Sequence, residues 1–294
     1  MSHSLTQLAN EPVQSDHVPL SEMYLSRKLA EAHPGMERLA LERFIATLES
    51  QGDETARIER LLARLNRLVD LSGRKSAVVL GCGPRPQTVR FLAEKNFDVV
   101  GVEPVTSFVR SACEYLGTTD QVVEGAAERI PLADDSQHLV FCDSVLEHVV
   151  SPAKSLDEMR RVLAPGGVAF ITTTNRHKFS IKGENGEYRY RFFNWLPKLV
   201  KECLVFQHLH YDPRLANYTQ LPAVHWFTYS ELCALGRQAG FAQFYSLLDL
   251  MDANDPAIKR SRAKRWALDK FKFNPWLRAL ALTQKGDTII MLKK

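Results

Sequence analysis

Short β-branched runs alternate with helical patterns between residues 75 and 175, and this alternation most limits the folds open to the chain. The apolar runs read AVVLG, FDVVGVE, LVFCD and GVAFITTT, and helical patterns fall near 86–95, 105–116 and 152–163. Strands interleaved with helices favour a parallel sheet that is covered on both faces. The pattern therefore predicts a doubly wound α/β domain.

The segments on either side of this region follow other patterns. Residues 1 to about 20 are polar and unpatterned, whereas 21–70 have helical periodicity. The aromatic and basic stretches at about 175–222 and 251–284 interrupt the alternation before a closing strand, DTIIMLKK. We therefore expect an N-terminal tail and helical segment over 1–74, then a domain over 75–294 with two insertions.

Composition limits the function classes without selecting one. The 294 residues suffice for one embellished α/β domain or two small domains, and the net charge of +4 permits contact with phosphates without requiring it. The five cysteines form no C-x-x-C pair, which disfavours a disulfide framework and structural zinc. The first residues also show no basic segment followed by an apolar one, as a secretory signal would. The cysteine pattern and these first residues together predict a cytoplasmic protein without a metal site.

The stretch VVLGCGPRP places Gly81 and Gly83 directly behind the first apolar run. A glycine turn between a strand and a helix lets the backbone approach a ligand, and the helix N-terminus favours anionic groups. Glu103 ends the next run, 22 positions beyond Gly81, where a carboxylate can accept hydrogen bonds from ribose hydroxyls. At this point NAD, S-adenosylmethionine and a ligand-free tight turn all remain open.

The segments that follow distinguish the two cofactors. In order they are VVLGCGPRP, VVGVEP, GAAERIPLADDSQHLVFCDSVLEHV and MRRVLAPGGVAFITTTN, over about 77 to 175. This set resembles the class I S-adenosylmethionine-dependent methyltransferases, in particular the small-molecule group that includes ubiquinone and menaquinone biosynthesis enzymes. An NAD fingerprint needs a third glycine where Pro86 stands. The resemblance implies a seven-stranded mixed, Rossmann-like sheet with its last strand antiparallel, and S-adenosyl-L-methionine as the cofactor.

The resemblance also implies a set of cofactor contacts at successive strand ends. They are Gly81, Cys82 and Gly83 along the methionine and ribose, Glu103 with Pro104 at the ribose hydroxyls, Ala126, Ala127 and Glu128 beside the adenine, and Asp143 with Ser144 facing the methionine moiety and the methyl group. Within LEHV, the resemblance places Glu147 and His148 beside the acceptor pocket.

Three positions depart from the family pattern. Val79 replaces an acidic partner of the cofactor's ammonium group, and Ala126 replaces an aspartate near the adenine. The third glycine of the loop is absent from PRP, where Pro86 suits the first turn of a helix. Arg85 beside it is placed either to pair with the cofactor's carboxylate or to point into solvent. These departures keep a catalytically silent cofactor-binding protein open as an alternative.

Methyl transfer from a sulfonium requires the acceptor to be held close and in line, without a metal or a covalent nucleophile. The acceptor we expect is a small molecule methylated at a hydroxyl oxygen, with nitrogen and carbon left open. A hydroxyl benefits from a base, and histidine titrates nearest neutral pH. His148 and His177 are the candidate catalytic residues, and His225 lies in a similar region.

The two aromatic and basic stretches admit several interpretations. YRYRFFNWLPKLVKECLVF and RWALDKFKFNPWLRALAL could form a lid, lie on a membrane surface, or pack as ordinary amphipathic helices. A scaffold that associates with a membrane surface is therefore a second alternative function. Nucleic-acid binding is disfavoured because the basic residues are mixed with acids and no known module is present. The sequence indicates neither the acceptor's identity nor the oligomeric state.

Overall fold

The computed structural model describes residues 41–42, 45–46, 54–72, 75–176, 183, 187–211, 221–252, 255, 258–284 and 287–293. Expectations for residues 1–40, including the polar tail, lie outside these ranges. Within them, every helix is too short or too polar to cross a bilayer.

The described residues form nine α-helices and seven strands along the chain. In order these are α1 (Thr55–Leu65), β1 (Ser76–Leu80), α2 (Gln87–Glu94), β2 (Asp98–Glu103), α3 (Thr106–Leu116), β3 (Val122–Glu124), β4 (Gln137–Asp143), α4 (Pro152–Val162), β5 (Leu163–Thr174), α5 (Lys198–Gln207), α6 (Tyr229–Gln238), β6 (Gln243–Ser246), α7 (Leu247–Leu250), α8 (Arg262–Phe273), α9 (Pro275–Gln284) and β7 (Asp287–Lys293). Short 3₁₀ turns flank α5 at Phe193–Trp195 and Leu209–Tyr211.

The strands form one sheet in the order β3-β2-β1-β4-β5-β7-β6. The first five strands in this order are mutually parallel, and β7 is antiparallel to both of its neighbours, β5 and β6. The predicted α/β, Rossmann-like fold is thus confirmed. In the register, Leu80 lies beside both Val102 and Cys142, so the residues that follow these strands share the carboxyl edge of the sheet.

Helix α1 packs against one face of this sheet. Its buried residues Ile58, Leu61 and Leu65 follow the i, i+3, i+4 spacing of an amphipathic helix. Leu61 and Leu65 join the apolar cluster that contains Val79 of β1 and Phe141 of β4. Helix α1 therefore shares the core of the sheet.

Two helix starts match the capping signals in the sequence. The Ser151 side chain caps α4, which has Pro152 in its first turn. Thr228 and Glu231 form a capping box at α6, where the Thr228 N–H donates to Glu231 Oε2 at 2.8 Å. Gly240, just after α6, has φ +86°, the left-handed conformation that glycine commonly adopts where a helix ends.

The first insertion has an apolar cluster of its own. Tyr188, Phe193, Val205 and Trp226 are buried together in it. The buried Lys201 ammonium lies 5.7 Å from the Phe193 ring centre and 5.6 Å from that of Trp226, a cation–π arrangement. The described part of the insertion therefore packs around aromatic side chains.

Candidate cofactor and acceptor site

The loop after β1 turns sharply at the carboxyl edge of the sheet. Gly81 and Gly83 have φ values of +58° and +68°, which L side chains rarely adopt. The Gly81 N–H donates to the Val102 carbonyl at 2.8 Å, which ties the loop to β2. A Cβ at Gly81 would lie 2.7 Å from Val145 Cγ2, so the turn has no room for a side chain.

Glu103 is buried at the end of β2, beneath this loop. Its Oε2 accepts the Gly83 N–H at 3.0 Å, and its Oε1 accepts the Val105 N–H at 3.2 Å. Burial raises the pKa of the carboxyl to about 7, and the two backbone hydrogen bonds oppose that rise. Each carboxylate oxygen offers two lone pairs, so both oxygens retain capacity for a further donor.

Asp143, at the end of β4, is engaged from two sides. The Thr172 hydroxyl of β5 donates to one carboxylate oxygen, and the Arg57 guanidinium of α1 pairs with the other. The adjacent Ser144 has φ +57° and donates its N–H to Thr172 Oγ1 at 3.0 Å. Sequence reasoning missed Arg57 because α1 lies outside the segments that carry the resemblance.

The predicted adenine-side residues have a defined local role. Glu128 Oε1 accepts the N–H of Val150 at 2.7 Å and that of Ser151 at 3.2 Å, so its carboxylate ties the loop after β3 to the start of α4. Ala127 is buried, and the carbonyl of Ala126 accepts the Arg129 N–H at 3.0 Å.

The remaining predicted residues lie around the first two strand ends. Pro104 is exposed next to Glu103. Burial raises the pKa of the Cys82 thiol well above its usual range, so the thiol stays protonated. The Arg85 guanidinium lies 5.4 Å from the ring centre of Tyr115, which places it on an aromatic face of α3.

Glu147, His148 and Glu187 form an acid–base cluster beyond β4, and their ligand-type atoms all lie within 4.8 Å of one another. Glu147 is buried and accepts the hydroxyls of Thr173 at 2.8 Å and Thr174 at 3.2 Å. Burial raises the pKa of Glu147 to about 8, which makes this carboxyl mostly neutral at pH 7. The sequence does not predict the cluster, because Glu187 belongs to the first insertion.

A hydrogen bond to the backbone fixes the tautomer of the neutral ring of His148, which is one of the two predicted catalytic residues. Nδ1 of His148 lies 2.8 Å from the Leu221 carbonyl oxygen, which can only accept, so Nδ1 carries a proton. In the neutral ring Nε2 then holds the lone pair, and it lies 3.9 Å from Glu187 Oε2. His177 lies outside the described residues.

His225 serves the structure instead. Its Nε2 donates to the Val149 carbonyl at 3.0 Å, and burial lowers its pKa to about 4. At neutral pH its ring is therefore uncharged and tied to the backbone.

A cleft of about 950 Å³ opens elsewhere on the molecule, at the amino ends of β1 to β3. Its lining includes Ser72, Phe97 and Gln121, all of which precede strands. It therefore lies at the opposite edge of the sheet from Glu103 and Asp143.

Comparisons with known proteins match different lengths of the chain. The family model described as "Methyltransferase domain" matches residues 78–171. The ubiquinone biosynthesis O-methyltransferase of Photobacterium profundum is 31% identical over 121 residues, which cover 39% of this chain and 51% of that protein. The thiol S-methyltransferase TMT1B of Homo sapiens is 31% identical over 133 residues, covering 43% of this chain and 54% of that protein. The chain thus spans about half the length of these two relatives.

One solved structure covers more of the chain. A protein from Thermotoga maritima, described as an S-adenosylmethionine-dependent methyltransferase and possible histamine N-methyltransferase, aligns over 87% of this chain and 98% of its own. Its sequence identity is 18% and its TM-score is 0.48.

Proposed function

Because the chain carries a class I S-adenosylmethionine-dependent methyltransferase domain, we propose that it transfers the methyl group of S-adenosylmethionine to a hydroxyl oxygen of a small-molecule acceptor. One observation supports this most directly. The buried carboxyl of Glu103 lies at the carboxyl edge of the sheet and is oriented by backbone N–H groups of Gly83 and Val105. Open α/β sheets bind nucleoside ligands at that edge.

The groups at this edge fit the charges of the cofactor. Glu103 would accept the ribose hydroxyls through its remaining lone pairs. Asp143 and Arg57 form an opposite-charge pair that suits the ammonium and carboxylate of an amino-acid tail. Asp143 would thereby supply the acidic partner of the cofactor's ammonium group, which is missing at position 79 because Val79 stands there. The proposed set of cofactor contacts is completed by the other residues at these strand ends, which are Gly81, Cys82, Gly83, Pro104, Ala126, Ala127, Glu128 and Ser144.

When bound, the sulfonium supplies a methyl group that is already activated for displacement. The chain's task is then to hold the acceptor oxygen in line and to keep water away from it. We assign the role of base to His148, whose Nε2 would take the acceptor's proton. The Glu187 carboxylate, 3.9 Å away, would stabilise the resulting imidazolium.

Titration calorimetry with S-adenosylmethionine and with its demethylated product tests the cofactor site. The Glu103→Gln variant should bind the product about tenfold or more weakly, the usual loss for hydrogen bonds to a charged group. Glu124→Gln is the matched control. Glu124 ends the neighbouring strand in register with Glu103, but its carboxylate is exposed and accepts the Thr106 hydroxyl at 2.8 Å. Equal losses in the two variants would remove Glu103 from the site.

Transfer itself is tested with labelled S-adenosylmethionine and a panel of phenols, amines and thiols. Faster incorporation of the labelled methyl group into the phenols than into the amines and thiols supports the proposal. Product binding without transfer to any class would favour the catalytically silent binder. Absence of a binding heat at millimolar cofactor would reject both the proposed methyltransferase and the catalytically silent binder.

A further inference from the structure

Helices α8 and α9 form a hairpin whose inner side is fixed to the body of the protein. Leu268 of α8 is buried with Leu248 and Ile258. The Arg278 guanidinium makes two hydrogen bonds to the Asp249 carboxylate, at 2.6 and 2.7 Å. Bidentate pairs of this kind hold a defined geometry, so the orientation of the hairpin is set.

The outer side of the same hairpin exposes large apolar side chains. Trp276 is 84% exposed, Phe273 83%, Trp266 66% and Leu280 49%. Trp276 and Leu280 are four residues apart on α9, so they share one helix face. Single exposed apolar residues are common, but a group of aromatics on an anchored hairpin indicates an interaction surface.

Positive charge is concentrated on this hairpin. Residues 262–284, which make up the hairpin, contain six Lys and Arg against one Asp, whereas the rest of the chain has 32 basic and 33 acidic residues. The net charge of +5 here contrasts with −1 elsewhere. Arg265 and Lys270 are both exposed on α8, and the Lys270 ammonium is 5.9 Å from the Trp266 ring centre. A partner for this surface must therefore be both anionic and able to take up aromatic rings.

The hairpin lies toward the carboxyl edge of the sheet. The Asn175 side-chain amide, just after β5, donates to the Leu282 carbonyl of α9 at 2.8 Å. Strand β7, which follows α9, begins opposite Thr174. The exposed aromatics thus belong to an element that meets the same edge as Glu103 and Asp143.

We propose that the outer side of the α8–α9 hairpin docks on a lipid bilayer that contains anionic lipids. Trp and Phe enter the boundary between headgroups and acyl chains, while Lys and Arg beside them pair with anionic headgroups. Trp, Phe and Arg are enriched at protein–protein interfaces but Lys is depleted, so the lysine beside these aromatics favours a bilayer over a protein partner. The outer surface of two packed helices is convex, whereas proteins that bind single-stranded nucleic acid use a basic groove. This docking does not depend on methyl transfer.

Cosedimentation of the full chain with vesicles tests the proposal. We expect binding to phosphatidylcholine vesicles that contain about a third phosphatidylglycerol, weak binding to phosphatidylcholine alone, and a decrease as salt screens the charges. Failure to bind the anionic vesicles at low salt would overturn the proposal.

Two pairs of variants separate the contribution of positive charge to vesicle binding from the contribution of the exposed aromatic side chains. Arg265→Glu/Lys270→Glu should lower vesicle affinity by about tenfold or more, since each cation near an anionic surface contributes appreciably. Arg110→Glu/Lys154→Glu is the matched control, because it reverses one Arg and one Lys that are exposed on α3 and α4. Phe273→Ala/Trp276→Ala should also weaken binding, whereas Phe273→Leu/Trp276→Leu, which keeps apolar area, should retain most of it. Thermal melts establish that all four variants fold.

Three results would contradict a bilayer as the partner. Equal losses in the two charge-reversal variants would show a non-specific effect of net charge. Tighter binding to single-stranded RNA than to vesicles at equal salt, lost in both the charge and the alanine variants, would assign the surface to nucleic acid. Conversion of a dimer to a monomer by the alanine variant, with vesicle binding unchanged, would assign it to a second copy of the chain.

Discussion

Arg57 of α1 is ion-paired with Asp143 at the carboxyl end of β4, a contact that spans 86 positions in the sequence. It brings the first described long helix to the strand end where the proposed methionine contacts lie. Glu54, the N-cap residue of α1, donates its N–H to the Gln87 side chain at 3.2 Å, so the start of α1 also contacts the helix after the glycine loop. The helix before the sheet thus forms part of the candidate site.

We predict that Arg57→Met weakens binding of the demethylated cofactor about five- to tenfold, a modest loss because the Arg57 side chain is 45% exposed. Arg60→Met, at an exposed position of the same helix, should have little effect. Calorimetry with an analogue that lacks the carboxylate completes the comparison. If Arg57 binds that group, the variant and the native chain should bind the analogue equally.

Cofactor affinity should rise with pH through about 7, the pKa to which burial raises the Glu103 carboxyl. The ionised carboxylate accepts hydrogen bonds from ribose hydroxyls better than the neutral acid, so binding should release a proton below that pH. Calorimetry in buffers of different ionisation enthalpy measures this release. Glu103→Gln should abolish it, and Glu124→Gln should leave it intact; a release that persists in the first variant contradicts the assignment.

Native stability should fall as the pH rises toward 8. Burial raises the pKa of Glu147 from its usual 4.5 to about 8, so the folded state binds more protons than the unfolded state between these values. This contribution is complete below about pH 4.5 and is lost as pH rises through about 8, with a slope of at most about 1.4 kcal/mol per pH unit.

Glu147→Gln should flatten that slope, since the amide can still accept a hydrogen bond from a threonine hydroxyl. Denaturant unfolding at a series of pH values measures the effect, and Glu124→Gln is the exposed control. A slope unchanged by Glu147→Gln would show that another group carries the dependence.

If His148 is the base, His148→Gln should lower kcat by about a hundredfold or more while the affinity for the demethylated cofactor stays unchanged. His208→Gln is the control, since His208 is an exposed histidine at the end of α5. In His148→Ala, added imidazole should restore part of the rate on phenolic acceptors. Full activity in His148→Gln would show that His148 is not the base.

The loop after β1 offers a steric test that does not involve cofactor. Gly81→Ala should destabilise the fold by about 1–3 kcal/mol, because its φ is unfavourable for alanine and its Cβ would lie 2.7 Å from Val145 Cγ2. Adding Val145→Ala removes the clash but not the backbone strain. The double variant should therefore be more stable than the sum of the single effects, and simple additivity in denaturant unfolding would contradict the contact.

Alternating patterns sufficed to predict β1, β2, β4, β5 and β7, three of the helices between them and the edge that gathers Gly81, Glu103 and Asp143, whereas the full count of seven strands came from the family resemblance. They could not predict the partners of those residues. Arg57 and Glu187 reach the site from a helix and an insertion far away in the sequence, and no periodicity records such contacts. Capping signals were more informative, since Thr228 and Glu231 interact within one helical turn.

Strand β7 lies between β5 and β6, so β6 joins the sheet through a strand that is made after it. A nascent chain that has not yet emerged past Lys293 exposes the hydrogen-bonding edge of β5 and leaves β6 without its partner. The sheet can close only after β7 has been synthesised, and until then the β5 edge is where a chaperone, or another unfinished chain, would attach.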